Sequence, residues 1–136
     1  MTALKLLLPT LCIVHTATAS NTEIGIRKDV LDMSDDEKAA FLEALYKMKS
    51  TPSKYNSSFS SYDYYAWVHR YALENSHIGA NGHQRWNFLP WHRGFAYLFE
   101  KELQEAMDDA TFRLPYWDLT NEESTFAVLH DDSFLG

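Results

Sequence analysis

Three histidines, His69, His83 and His92, are the residues of this chain best suited to chemistry. His69 and His92 each interrupt a run of apolar and aromatic residues, and His83 lies between them. A buried imidazole whose polar nitrogens find no partner costs about 1–3 kcal/mol. One metal ion bound by all three rings would satisfy them together, as happens between the helices of a bundle. The pattern therefore indicates a metal site.

A second interpretation treats the histidines one at a time. His69 would be a core histidine bonded to a backbone carbonyl, and His92 would cap its helix or stack against Trp91. His77 competes with His83 for the position in the connecting loop. We favour His83 because it is closer to the following helix and because Gly82 lets the backbone turn inward. His130 lies in a polar tail, where we expect it to be solvated.

The available ligand atoms limit which metal could bind. The single cysteine, Cys12, lies in the N-terminal stretch that we expect to be removed, so the mature chain offers no thiolate. Imidazole ligands without sulfur suit copper, zinc or iron, and the histidines alone do not choose among these metals.

The first 19 residues, MTALKLLLPTLCIVHTATA, have the features of a secretory leader. They contain an early lysine, an apolar middle and a small-residue cleavage pattern, so we expect cleavage after Ala19 and secretion of residues 20–136. The leader is too short to span a bilayer, and no later stretch is apolar enough to do so. The sequon Asn56-Ser57-Ser58, in a polar loop, agrees with a secreted protein.

The charge balance argues against two classes of partner. The chain has 12 basic and 19 acidic residues, a net charge of −7, and loss of Lys5 with the leader makes it −8. An acidic chain without Lys/Arg clusters is not suited to nucleic acid or to an anionic membrane surface.

Three helices are expected to position the histidines, which makes the fold class mainly α, a partial antiparallel helix bundle with extended loops. Ser34 to Glu37 form a capping box that begins the first helix. The second helix, over about 62–74, places these residues on one face: Tyr62, Tyr65, Ala66, His69 and Leu73.

The third helix should begin at Leu89 or Pro90, since proline is tolerated in a first turn, and run to about Met107. The residues expected on the side of His92 are Phe95, Ala96, Phe99 and Leu103. On the opposite side Lys101 should pair with Glu105. The segment FRLPYWDLT, residues 112–120, is expected to be extended, and the remainder to Gly136 to be loop.

The stretch HQRWNFLPWHRGFAYLFE, from His83 to Glu100, followed by LPYWD at 114–118, resembles the first copper-binding half of the tyrosinase, catechol oxidase and molluscan haemocyanin superfamily. The likeness extends upstream to YDYYAWVH at 62–69 and IRKDVLDMSDDEK at 26–38. It implies a tyrosinase-type helix bundle in which His69, His83 and His92 bind the first of two coppers. It also implies O₂ and a small phenol as substrates, with catechols oxidised to quinones, and Phe88, Trp91 and Trp117 as packing around the site.

Three departures from the family pattern bear on function. The mature chain has no cysteine for the crosslink to the second histidine that some relatives contain, and Leu119 replaces the usual second tryptophan. The family's second copper needs a further histidine set, whereas only His130 follows His92 here. The resemblance therefore implies the N-terminal part of a domain, truncated before the second copper site and inactive as an oxidase by itself.

Three alternatives remain at this point. The chain could be a mono-copper or vestigial module without oxidase activity, or an oxygen-carrying domain of the haemocyanin kind. In the third alternative, a homodimer brings two first-copper sites together about a two-fold axis.

Overall fold

The computed structural model describes residues 25–74 and 87–135. The predicted leader, residues 1–19, lies outside the described residues. After a short 3₁₀ turn at Val30–Asp32, the described residues form four helices: α1 (Asp35–Ser50), α2 (Ser61–Glu74), α3 (Phe88–Met107) and α4 (Glu122–Leu129). Within these ranges the chain forms no β-sheet and contains only isolated β-bridges. The fold is mainly α, as predicted.

Side chains at the N-termini of α1 and α2 begin both helices. The Ser34 hydroxyl accepts a hydrogen bond from the Glu37 N–H at 3.2 Å, and the Glu37 carboxylate accepts one from the Ser34 N–H at 2.8 Å. This is the predicted capping box. At α2 the Ser60 hydroxyl accepts from the Asp63 N–H at 3.0 Å and donates to the Asp63 carboxylate at 2.8 Å.

Helix α3 begins one residue earlier than the first of the two predicted starts. Pro90 lies in its first turn, and the first helical bond runs from the Trp91 N–H to the Asn87 carbonyl at 3.0 Å. The missing N–H of Pro90 therefore costs no helical bond. The helix ends at Met107, and the left-handed backbone of the following Asp108 (φ 54°) lets its N–H reach the carbonyls of Gln104 and Glu105.

Helix α1 lies against both α2 and α3, and its buried Phe41 and Met48 occupy the centre of the core. Aromatic side chains from α2 and α3 fill the space between those two helices, and the histidines lie at one end of this layer. The other buried members of the core are Val30, Met33, Ala44, Tyr65, Leu103, Val128 and Phe134.

The C-terminal part of the chain corrects one prediction. Residues 112–118 are not helical, as expected, and Tyr116 pairs with the backbone of Lys28 and Val30. The prediction of loop to Gly136 is wrong, because α4 forms within it. The Asn121 side chain accepts from the N–H groups of Glu123 and Ser124 and so begins a helix too short to show clear periodicity.

One further prediction about side chains is wrong. Lys101 donates to Gln104 at 2.9 Å and not to Glu105, which binds Lys54 at 2.7 Å. The loop between α1 and α2 places Lys54 beside α3. Glu105 therefore pairs with Lys54, a tertiary contact, and not with Lys101, its neighbour four residues away in the helix. Leu73, which helical spacing places on the face of His69, is 46% exposed near the end of α2. None of the helices in the described ranges is long and apolar enough to cross a bilayer.

Candidate metal centre

His69 of α2 and His92 of α3 face each other across the gap between their helices. Their Nε2 atoms are 3.3 Å apart, and their ring planes are inclined at 76°. Both side chains are partly buried. The structure therefore brings together two of the three predicted ligands through the nitrogens that a metal would use.

The tautomer of His92 follows from its other ring nitrogen. His92 Nδ1 lies 2.9 Å from the carbonyl oxygen of Phe88, one turn earlier in α3. A carbonyl oxygen can only accept, so Nδ1 carries the proton and the neutral ring has its lone pair on Nε2. Metal-binding histidines are usually held in this way, with the second nitrogen donating to a backbone carbonyl or carboxylate.

The distance between the two Nε2 atoms fits a shared metal ion. Two metal–nitrogen bonds of about 2.0–2.1 Å at a tetrahedral angle place their nitrogens about 3.3–3.4 Å apart. The observed distance is 3.3 Å. In the metal-free chain, an N–H of His69 donating to His92 also suits this spacing.

The third predicted ligand, His83, and its competitor His77 lie at positions 75–86, outside the described residues. In the part of the chain that is described, no three His, Cys, Asp or Glu side chains converge on one point. His130 is exposed at the end of α4, where its ring centroid lies 5.6 Å from that of Phe126. This exposure agrees with the expectation that His130 is solvated.

An apolar cleft of about 280 Å³ opens beside the two histidines. Among the described residues, no Lys, Arg, Asp or Glu side chain lines it. Such walls favour a flat, uncharged guest. The lining consists of Tyr62, Tyr65, Ala66, His69, His92, Phe95 and Phe99, all of which the helical spacing had placed on the two facing sides.

Tyr65 connects α2 to α3 one turn before His69. It is 6% exposed, its hydroxyl donates to the Leu98 carbonyl at 3.1 Å, and its ring meets the edges of Phe95 and Phe99. Burial raises the pKa of the Tyr65 phenol, so the hydroxyl remains a donor at neutral pH. Tyr65 therefore links the two helices that carry the histidines.

The packing residues expected around the site divide into two groups. The rings of Phe88 and Trp91 lie 4.2 and 4.7 Å from that of His92. Trp117 instead donates to the Thr125 hydroxyl at 3.2 Å and holds α4. Sequence reasoning missed the Phe88 carbonyl as the partner of His92, since a backbone acceptor has no residue signature. The only signal in the sequence was that His92 follows Phe88 by four residues at the start of a helix.

Comparison with known proteins now adds an independent finding. The family model for the common central domain of tyrosinase matches residues 59–136. The chain is 30% identical to a tyrosinase of Gallus gallus over 81% of this chain and 25% of the relative. It is 35% identical to a tyrosinase of Streptomyces antibioticus over 82% of this chain and 38% of the relative.

A third relative carries a different name. The chain is 28% identical to a 5,6-dihydroxyindole-2-carboxylic acid oxidase of Bos taurus, over 85% of this chain and 27% of the relative. No solved structure matches the chain significantly. The chain spans about a quarter to a half of the length of the curated relatives it matches. The family match covers more than half of the chain, includes both facing histidines and agrees with the helical fold, and the chain therefore belongs to the tyrosinase family.

Proposed function

We propose that His69, His83 and His92 bind one copper ion and form the first copper site of a tyrosinase-type oxidoreductase. The observation that supports the proposal most strongly is the pair of Nε2 atoms 3.3 Å apart, one of them on a ring whose tautomer is set by Phe88. Copper is the metal of this family, and an all-imidazole ligand set suits it. We take His83 rather than His77 as the third ligand because it is closer in sequence to α3 and because it begins the stretch that resembles the family's first copper site.

The residues around the histidines would hold and orient the reactants. When bound, copper supplies the electron transfer with O₂ that the side chains cannot perform. The Phe88 carbonyl keeps the Nε2 lone pair of His92 directed toward His69. Phe95, Phe99 and Tyr62 form apolar walls that exclude water and can pack against the ring of a phenol or catechol. We assign no general base among these residues.

Oxidation of a catechol to a quinone by this family uses two coppers, and the 136 residues offer one histidine set. Only His130 follows His92, and it lies away from the cleft. The second set must therefore come from residues outside these 136 or from another chain. We propose that the chain provides the first-copper part of a larger oxidase domain. We also propose that residues 1–19 direct it to the secretory pathway.

Copper uptake by histidine variants tests the site. The purified chain is loaded with Cu(I) under anaerobic conditions, dialysed, and its copper content is measured. One copper per chain is expected, with loss in His69→Ala, His83→Ala and His92→Ala. His77→Ala and His130→Ala are the matched controls and should retain it. If His83→Ala retains copper and His77→Ala loses it, the third ligand is His77 and not His83. If all five variants retain copper, the proposed site is wrong.

Oxygen uptake with catechol tests the proposal that the chain carries only one of the two copper sites that an oxidase needs. The copper-loaded chain alone should consume no O₂ with catechol, because one copper cannot do so. Activity that increases with the square of the chain concentration would support two chains that pair their coppers. Reversible O₂ binding without quinone formation would support an oxygen carrier instead. First-order catechol oxidation by a monomer would contradict the proposal.

A further inference from the structure

Four aromatic side chains, two from the loop before α2 and two from α2 itself, pack against one another outside the histidine cleft. Ring centroids are 5.2 Å apart for Tyr55 and Tyr64, 5.9 Å for Tyr64 and Trp67, and 5.7 Å for Phe59 and Trp67. None of these four residues lines the cleft. Tyr55 is 55% and Trp67 is 41% exposed. We refer to Tyr55, Phe59, Tyr64 and Trp67 as the aromatic strip.

The sequon Asn56-Ser57-Ser58 forms an exposed turn between two members of this strip. The Asn56 Oδ1 atom accepts from the Ser58 N–H at 3.0 Å, and the Asn56 carbonyl accepts from the Phe59 N–H at 3.1 Å. Tyr55 directly precedes Asn56. The turn thus has a ring of the strip on each side.

The turn leaves the reactive atom of Asn56 available. Only Oδ1 takes part in the turn, and among the described residues Nδ2 has no hydrogen-bond partner. A bond formed at Nδ2 would leave the carbonyl group, and therefore the turn, intact. Glycosylation of Asn56 is thus compatible with the folded loop.

We propose that Asn56 carries an N-linked glycan and that this glycan lies on the aromatic strip. The modification rests on the proposed secretory leader, since the enzymes that transfer such glycans act in that pathway. The Asn56 amide nitrogen forms a bond to the anomeric carbon of a lipid pyrophosphate-linked oligosaccharide. The carbon–oxygen bond to the pyrophosphate breaks, the lipid pyrophosphate leaves with the electron pair, and the amide nitrogen loses one proton to a base.

The aromatic strip has a physical reason to bind sugar. Each sugar ring has a face of C–H groups that packs against a flat aromatic ring, and its hydroxyl groups remain in water. Tyr55 and Trp67 are the exposed members of the strip, and a sugar packed against them would remove part of their apolar surface from water. A glycan attached next to Tyr55 is already at high local concentration over the strip, so even weak contacts are occupied.

Glycosylation is tested by expressing the full chain with its own leader in a eukaryotic cell and treating it with an amidase that removes N-linked glycans. The untreated protein should migrate more slowly on a gel than the treated protein. Asn56→Gln and Ser58→Ala should lack this shift. Ser57→Ala keeps the sequon and is the matched control. A chain without a glycan, whether or not it is secreted, would overturn the proposal.

The position of the glycan is tested by acrylamide quenching of Trp67 fluorescence, obtained as the difference between the chain and its Trp67→Phe variant. Enzymatic removal of the glycan should increase quenching of Trp67. Tyr55→Ala should keep the glycan and lose part of the protection. Equal quenching before and after removal would refute contact with the strip. Copper content should not change with the glycan, so the outcome is separate from that for the metal site.

Discussion

Replacement of Tyr65 tests whether this residue holds α2 and α3 at the distance that the histidines require. Tyr65→Phe removes the hydrogen bond that the Tyr65 hydroxyl donates to the Leu98 carbonyl. The Leu98 carbonyl itself remains part of helix α3. The expected cost is about 1 kcal/mol of unfolding free energy. Tyr65→Ala also leaves a cavity between Phe95 and Phe99, and the expected cost is about 3–5 kcal/mol.

The assay is thermal and chemical unfolding of the metal-free chain, followed by Cu(I) titration. For a chain of this size, 1 kcal/mol shifts Tm by about 4 °C, so the Phe variant should lose about 4 °C. The Ala variant should lose about 12 °C or more and should bind copper more weakly, because the helices no longer hold His69 against His92. Tyr46→Ala is the control, since Tyr46 is 72% exposed on α1 and its loss should cost less than about 0.5 kcal/mol.

The pH dependence of the Phe variant adds a second readout. Because burial raises the pKa of Tyr65 in the folded chain, the unfolded chain releases this proton first as the pH rises past about 10. Wild-type stability should fall there relative to Tyr65→Phe, so the difference between them narrows. A Tyr65→Ala variant as stable as Tyr46→Ala, with unchanged copper affinity, would refute the role of Tyr65.

Three further predictions concern stability. A hydrogen bond from Lys49 lowers the pKa of Asp63, so the stabilisation is present above about pH 4 and is lost as pH falls through the lower folded value. Asp63→Asn should flatten the acid limb of a stability–pH curve. Glu100→Gln should cost about 2 kcal/mol in urea unfolding, since this buried carboxylate accepts from the Arg27 guanidinium at 3.0 Å. Asp108→Gly should raise stability by about 1 kcal/mol in thermal unfolding, because it relieves the positive φ at the end of α3.

Each of these predictions has a control or a contradicting result. Glu105→Gln removes a carboxylate that is 65% exposed and should change stability by less than about 1 kcal/mol. An equal cost for Glu105→Gln and Glu100→Gln would contradict the argument from burial. Acid limbs that superimpose for Asp63→Asn and wild type would show that the pair with Lys49 does not stabilise the fold. A loss of stability in Asp108→Gly would show that the aspartate is not strained.

Local signals in the sequence predicted the elements that carry the site. The capping box at Ser34 and the proline at position 90 both mark helix starts through local bonding, which the sequence specifies directly. Helical spacing also predicted the faces that carry every residue lining the cleft in the described part of the chain. These features depend on residues one or two turns apart, and such rules are reliable over that range.

Features that depend on distant contacts were not predictable in the same way. Helix α4 has eight residues, and one of its fully buried positions is a polar one, Ser124, which donates to Asp29 at 3.4 Å. A hydrophobic pattern cannot reveal such a helix. The partner of Glu105 is Lys54, about fifty positions earlier, and only the tertiary fold brings them together.

Crystallography at the copper absorption edge, on crystals of the copper-loaded chain, tests the central claim most directly. The account predicts one anomalous peak about 2 Å from the Nε2 atoms of His69 and His92, with His83 completing the ligand set. A peak at other residues, or His69 and His92 rings turned apart with no copper between them, would contradict it.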